Sequence, residues 1–267
     1  MLKQFVLILL SATALVFSQK TLAQNIATDR PNQTEAATVI RPGELQIESG
    51  VLFERYEVGG GLVQERTSYP INLFRIGLSE KFELRMVNQL VAYRLIDPTG
   101  RLDENRVRGT ENVQLGLKYQ LKSKEDRLVM ALQGHVFLPT GSTGITNELY
   151  GTMGRLNLAY EIDEQRSLGS NIAYVNEFLD FAPEGLVRRA EGNFIYTLAY
   201  SQSMSDQLTV FAEFFTTAVE LEDWETNADV GLTYLLKENL QLDYVYGFGL
   251  NRSMNFHTIG LSIRLPQ

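Results

Sequence analysis

The residues with most chemistry to offer are charged side chains that recur at every second position within otherwise apolar stretches. Glu48, Glu54, Arg75, Glu83, Arg85, Lys118, Arg155, Glu161, Glu191, Glu213, Asp229, Asp243 and Arg264 sit this way, interleaved with Asn157, Asn171 and Asn193. Alternation with period two puts such residues on one face of an extended strand. If that face lines a barrel, it forms a polar lumen that selects permeants by charge. Alternatively the charges pair with one another and fill a narrow interior, as in small barrels. Glu83 and Arg85 lie two apart on this face, and Arg75 belongs to the neighbouring strand. A buried cluster is expected there, paired internally because an unpaired inward charge is costly.

Catalysis has little to draw on. A lipid-modifying barrel would need a serine or threonine activated by one of the two histidines, His135 or His257. His135 has inward parity, away from lipid, and His257 has outward parity with no evident acidic partner, so no catalytic residue is assigned. The chain contains no cysteine, which removes disulfides and thiolate metal sites. No metal and no cofactor is expected. Asp29, Arg30, Pro31 and Thr34 precede the first strand. They form a periplasmic tail or fold back into the lumen as a plug, unless Asp29 and Thr34 merely cap turns around Pro31.

The elements that position these residues are short and numerous. In Val113, Leu115, Leu117, Tyr119 and Leu121 the apolar row faces away from Asn112, Gln114, Gly116, Lys118 and Gln120. The same two-faced pattern recurs at 155–162, 240–248 and 258–265. Strands are expected over 44–56, 68–78, 82–94, 110–121, 127–138, 149–162, 167–178, 189–202, 207–217, 226–236, 240–250 and 256–265, about twelve in all. In the second, Pro70 and a change of parity near Leu73 and Phe74 indicate a bulge or a late start.

Tight polar connections (79–81, 122–126, 163–166, 203–206, 237–239) alternate with longer ones (57–67, 97–109, 139–148, 179–188, 218–225, 251–255). Short periplasmic turns and longer extracellular loops are the habit of outer-membrane barrels. An even strand number then puts both termini in the periplasm. Tyr119, Tyr160, Tyr200 and Tyr234 each lie just before a tight turn on the apolar row, as an inner aromatic girdle would. Tyr150, Phe178, Phe214 and Phe248 have the parity of an outer girdle.

Residues 1–23 read as a secretory signal: Lys3, then an apolar run from Phe5 to Phe17 broken by Ser11, with cleavage after Ala23. Removing Lys3 and Lys20 leaves 22 basic against 32 acidic residues, a formal charge of −10 that disfavours nucleic acid. No other stretch is long and apolar enough for a transmembrane helix, so only a closed barrel could span a bilayer. The chain thus divides into a signal at 1–23, a periplasmic or plug segment at 24–43 and an outer-membrane barrel at 44–267.

Thr28 to Glu35, followed by Val39 to Gly43 and then Leu45, Gln46, Glu48 and Gly50, resembles outer-membrane transporter barrels of the phenol-degradation meta-pathway type. Leu73 to Arg85, Leu138 to Gly141 and Gly260 to Arg264 fit the same pattern. The resemblance implies an outer-membrane channel or binding barrel for a small-molecule permeant. Such a barrel would meet the assembly machinery, outer-membrane lipid and lipopolysaccharide. The alternative is a closed structural or surface-interaction barrel. Selectivity would fall to Arg75, Glu83, Arg85, Lys118, Arg155, Glu191, Glu213, Asp229 and Asp243.

Overall fold

The computed structural model describes residues 26–99, 106–122, 127–146, 149–180 and 188–265; for 177–180 and 188–191 it describes the backbone alone. The expected signal and Arg101, Asp103 and Glu104 of the third connection lie outside the described residues.

Strong alternation leaves each strand one face to bury and one to present, and a sheet with two such faces removes its edges by closing. That is what forms. The strands are β1 Leu45–Gly59, β2 Leu62–Gly77, β3 Phe82–Ile96, β4 Val107–Thr110, β5 Gln114–Lys122, β6 Leu128–Phe137, β7 Gly151–Glu161, β8 Arg166–Asp180, β9 Arg188–Ser203, β10 Leu208–Val219, β11 Trp224–Lys237, β12 Leu240–Gly249 and β13 Met254–Leu265. Each pairs antiparallel with its neighbours, and β1 pairs with both β2 and β13, which closes the ring. Both β4 and β5 pair with β3, one opposite Leu90 to Tyr93 and the other opposite Phe82 to Val87. They share one position, so the barrel has twelve.

Closure inverts the burial seen in water-soluble proteins. Along β5, Gly116, Lys118 and Gln120 are buried, while Leu115, Leu117 and Leu121 are 43%, 50% and 43% exposed. The largest fully buried side chains are polar, headed by Arg75, Arg85 and Lys118. An apolar outer face this extensive suits lipid rather than water. Tyr160, Tyr200 and Tyr234 stand outward near the tight turns, and Tyr119 stacks on Phe82 with ring centroids 4.8 Å apart.

The second strand begins at Leu62, not near residue 68. Gly60 and Gly61, both with positive φ (62° and 75°), form a two-residue turn between the paired Gly59 and Leu62. That turn geometry matches strand twist and lets pairing run on through the polar residues that follow. The bulge does occur: register shifts between Ser68 and Ile71, and inward parity passes from Arg66 and Ser68 to Leu73 and Arg75. The fourth expected strand is broken at 111–113, where β4 gives way to β5. The outer connections are less uniform than the sequence suggests, since those at 60–61, 220–223 and 250–253 are short.

Candidate functional site

The site is the polar interior at the tight-turn end of the barrel. Inward rows of β2, β3, β5 and β7 bring four cations to one side: Arg75, Arg85, Lys118 and Arg155. The wall supplies two carboxylates to them. Glu83 lies 2.8 Å from both Arg75 and Arg85, and Glu48 lies 3.1 Å from Arg75. Four cations against two anions would leave buried positive charge without a counter-ion, which is strongly unfavourable.

Residues 26–43 correct this imbalance. They lie within the ring of strands and are held by side chains from almost every side of it. Asp29 reaches Arg85 at 2.5 Å, Lys118 at 3.2 Å and Arg75 at 3.6 Å. Glu35 pairs with Arg85 at 2.8 Å and with Arg155. Burial alone would raise the Asp29 carboxyl, but Arg75, Lys118 and Arg85 outweigh it and hold it well below the usual carboxylate range. Glu35 is likewise raised by burial, and Arg155 and Arg85 more than offset this, bringing it to about 2.

On the opposite wall the charges are reversed, and so is the segment. Arg30 donates to Asp243 at 3.2 Å and to the Thr258 hydroxyl at 2.7 Å. Its guanidinium fills a slot made by Gly50 of β1 and Gly260 of β13, which are register partners; a Cβ at either would overlap it. Glu213 accepts hydrogen bonds from the backbone N–H groups of Gln33 (2.8 Å) and Thr34 (2.6 Å). The Thr34 hydroxyl also meets that of Thr197 at 2.6 Å. Backbone amides complete the seat: Ile40 donates to Glu83, Val39 to Gln120 and Glu35 to Asn171.

Of the residues singled out from sequence, Arg75, Glu83, Arg85, Lys118, Arg155, Asp29, Arg30 and Thr34 join in this assembly, as do Glu213 and Asp243. Pro31 follows Arg30 in the bend of the segment. Asp229 is buried opposite Glu213 in the β10–β11 ladder and makes no hydrogen bond or ion pair with the segment among the described residues; its Oδ1 has no hydrogen-bond partner. Glu191 takes its place in β9 opposite Glu177, and its side chain lies outside the described residues. His135 is inward, its ring nitrogens 3.1 Å from Gln133 and from Gln114. His257 is outward, 2.8 Å from the Tyr244 hydroxyl.

Sequence reasoning gave no functional role to Glu35, Gln46 and Gln120. Gln46 donates to the Ala27 carbonyl and to Glu48, and Gln120 donates to the Ala37 carbonyl. The signal for Glu35 was the excess of cations over carboxylates on β2 to β7, which calls for acids from elsewhere. The two glutamines carry no charge and gave no such signal.

Outward of the segment, toward the opposite mouth, the lumen holds a cavity of about 860 Å³. Gln33 contributes to its wall, together with Leu52, Phe215, Met254 and Phe256 on one side and Glu54, Tyr56 and Arg66 on another.

Solved barrels share this architecture. The crystal structure of an outer membrane channel from Pseudomonas putida F1 superposes with a TM-score of 0.67 at 10% identity, covering 88% of this chain and 99% of that one. The NanC porin gives 0.51 at 12% identity, over 83% of this chain and 100% of its own. The translocator domain of the autotransporter NalP from Neisseria meningitidis also gives 0.51, at 10% identity, over 83% and 88%. At these identities the likeness is one of fold. No curated protein sequence matches the chain. A family model matches residues 28–265, from the segment inside the lumen to the last strand. The chain therefore belongs to the family described as "Putative MetA-pathway of phenol degradation".

Proposed function

We propose that this protein is an outer-membrane uptake channel for small molecules, without catalytic activity, whose inner half is closed by its own N-terminal segment. The observation that carries the reading is the division of the lumen. Residues 26–43 occupy its tight-turn half, while a cavity large enough for a small organic molecule remains in the other half. The inverted burial and tyrosine belt support insertion in the outer membrane. Leu45 and Leu265 pair at the tight-turn end, which suits periplasmic termini and a segment entering from that side. The outer loops would then face lipopolysaccharide. The family and the fold shared with a Pseudomonas channel and a porin support transport over a purely structural role.

The test is single-channel conductance of the mature protein in planar bilayers, compared with a variant lacking residues 26–43, with heat-modifiable gel migration as the folding control. Small or intermittent openings in the full chain and large steady ones in the shortened chain are expected. A folded shortened barrel that never conducts would overturn the channel reading in favour of a closed structural barrel.

A further inference from the structure

The outer cavity has a chemistry of its own. Leu52, Phe215, Met254 and Phe256 form an apolar wall continuous with the buried Phe211 and Val245, and the rings of Phe215 and Phe256 lie 6.2 Å apart. Glu54 lies on the same inward row of β1 as Leu52, two residues further on. What decides the ligand class is the balance of charge on the lining and how much of it is already paired.

Both guanidiniums that line the cavity are engaged. Arg252 is 2.6 Å from Glu225. Arg66 donates through Nη2 to Glu111 at 2.8 Å and lies 6.0 Å from the centre of the Tyr93 ring; its Nε is buried and its Nη1 faces Glu54. Glu54 differs from both. Arg66 is its nearest cation, at 3.7 Å and outside hydrogen-bond range. Its side chain keeps 20% of its surface exposed and makes no hydrogen bond among the described residues. Three carboxylates line the cavity, Glu54, Glu57 and Glu225, against two guanidiniums, Arg66 and Arg252, each already paired with a carboxylate, so the lining favours a cation over an anion. A cation would find a carboxylate able to accept a charge-assisted hydrogen bond beside aromatic faces that attract positive charge.

We propose that the outer cavity binds amphipathic organic cations, a protonated amine on an apolar or aromatic body, with Glu54 as the counter-charge. This deepens the uptake reading and rests on it for its purpose, though binding itself is measurable without transport. Charge complementarity of this kind sets selectivity among molecules of equal size.

The experiment is isothermal titration calorimetry on the mature protein in lipid nanodiscs, with empty nanodiscs subtracted, using benzylamine, benzyl alcohol and benzoate as a size-matched series. Benzylamine is expected to bind about tenfold more tightly than benzyl alcohol, with benzoate weakest. Glu54→Gln should abolish the advantage of the amine and leave the alcohol unchanged. If that variant does not fold, the salt dependence of the native protein decides, because an ion-paired amine loses affinity as ionic strength rises and the alcohol does not. Equal binding of amine and alcohol, tighter binding of benzoate, an amine advantage that survives Glu54→Gln, or one indifferent to salt would each overturn the proposal. Amine binding by the full chain, with no conductance from the folded barrel lacking residues 26–43, would uphold the site and sink the channel reading. Conductance without amine preference would do the reverse.

Discussion

In the inner half of the lumen, Arg75, Arg85 and Lys118 have side chains between 0% and 1% exposed, and each lies against at least one carboxylate. In the outer half, Arg66 and Glu54 keep 26% and 20% of their side-chain surface and stand 3.7 Å apart. Both regions are inward rows of the same strands, so strand geometry does not distinguish them. The difference is the N-terminal segment, which brings Asp29 and Glu35 to a basic wall and Arg30 to an acidic one. Charges can be fully buried where a separate piece of chain delivers their partners. Where none arrives, the lumen stays wet and keeps groups available for a ligand.

The sharpest way to break this contrast is to neutralise the carboxylates of the segment together. Asp29→Asn with Glu35→Gln returns four cations to two wall carboxylates, and losing one partner of a buried pair costs about 3–5 kcal/mol. The segment should leave its seat, seen as a large rise in conductance and a lower temperature of the heat-modifiable gel transition. A double variant that conducts and melts like the native protein would show that the pairs do not hold the segment.

Arg30→Ala acts on the opposite wall and should do less. It removes the bonds to Asp243 and Thr258 but leaves the amide contacts to Glu213, so a loss of about 2–3 kcal/mol is expected. Conductance should rise to a level between those of the native and double-variant proteins. Opening as wide as in the double variant would locate the main anchor on the acidic wall instead.

Acid provides a graded version of the first test. The folded-state value of Glu35, about 2, lies below its ordinary 4.5, and that of Asp29 is also lowered. The stabilisation these groups provide is therefore fully present above their ordinary values and lost as pH falls through the folded ones. From neutral pH down to about 4.5 their contribution should not change, and between there and about 2 that of Glu35 should disappear. Protease accessibility of residues 26–43 against pH checks this. The double variant should lack the acid-dependent component, and a native segment released well above pH 4.5 would point to other groups.

The smallest effect is expected at the exposed turn pair of Asp163 and Arg166, whose side chains are 40% and 49% exposed. Arg166→Ala, which keeps the backbone N–H bonds of Gln165 and Arg166 to Asp163, should leave conductance and gel transition unchanged, because a solvated pair adds little. A measurable shift there would mean that the turn end of the barrel couples to the segment.

Much of the barrel was legible in the residues themselves. The alternation at Leu115, Lys118 and their neighbours is local, and strand pleat alone assigns its faces, so inward and outward rows followed at once. Tyr160, Tyr200 and Tyr234 could be placed at one height because each precedes a tight turn by a similar interval. The start of β2 at Leu62 and the break at 111–113 were hidden, since near the mouth both strand faces are polar and alternation fades.

By itself, then, the sequence determined a closed barrel with a polar interior and an apolar exterior, because period-two patterning acts through neighbouring residues. Only the tertiary structure decided which charges meet. Arg30 and Asp243 are separated by 213 positions and adjoin because the ring closes and the segment folds back into it. The slot at Gly50 and Gly260 exists only when β1 pairs with β13. No local pattern encodes either contact, because each depends on strands far apart in the chain meeting when the ring closes.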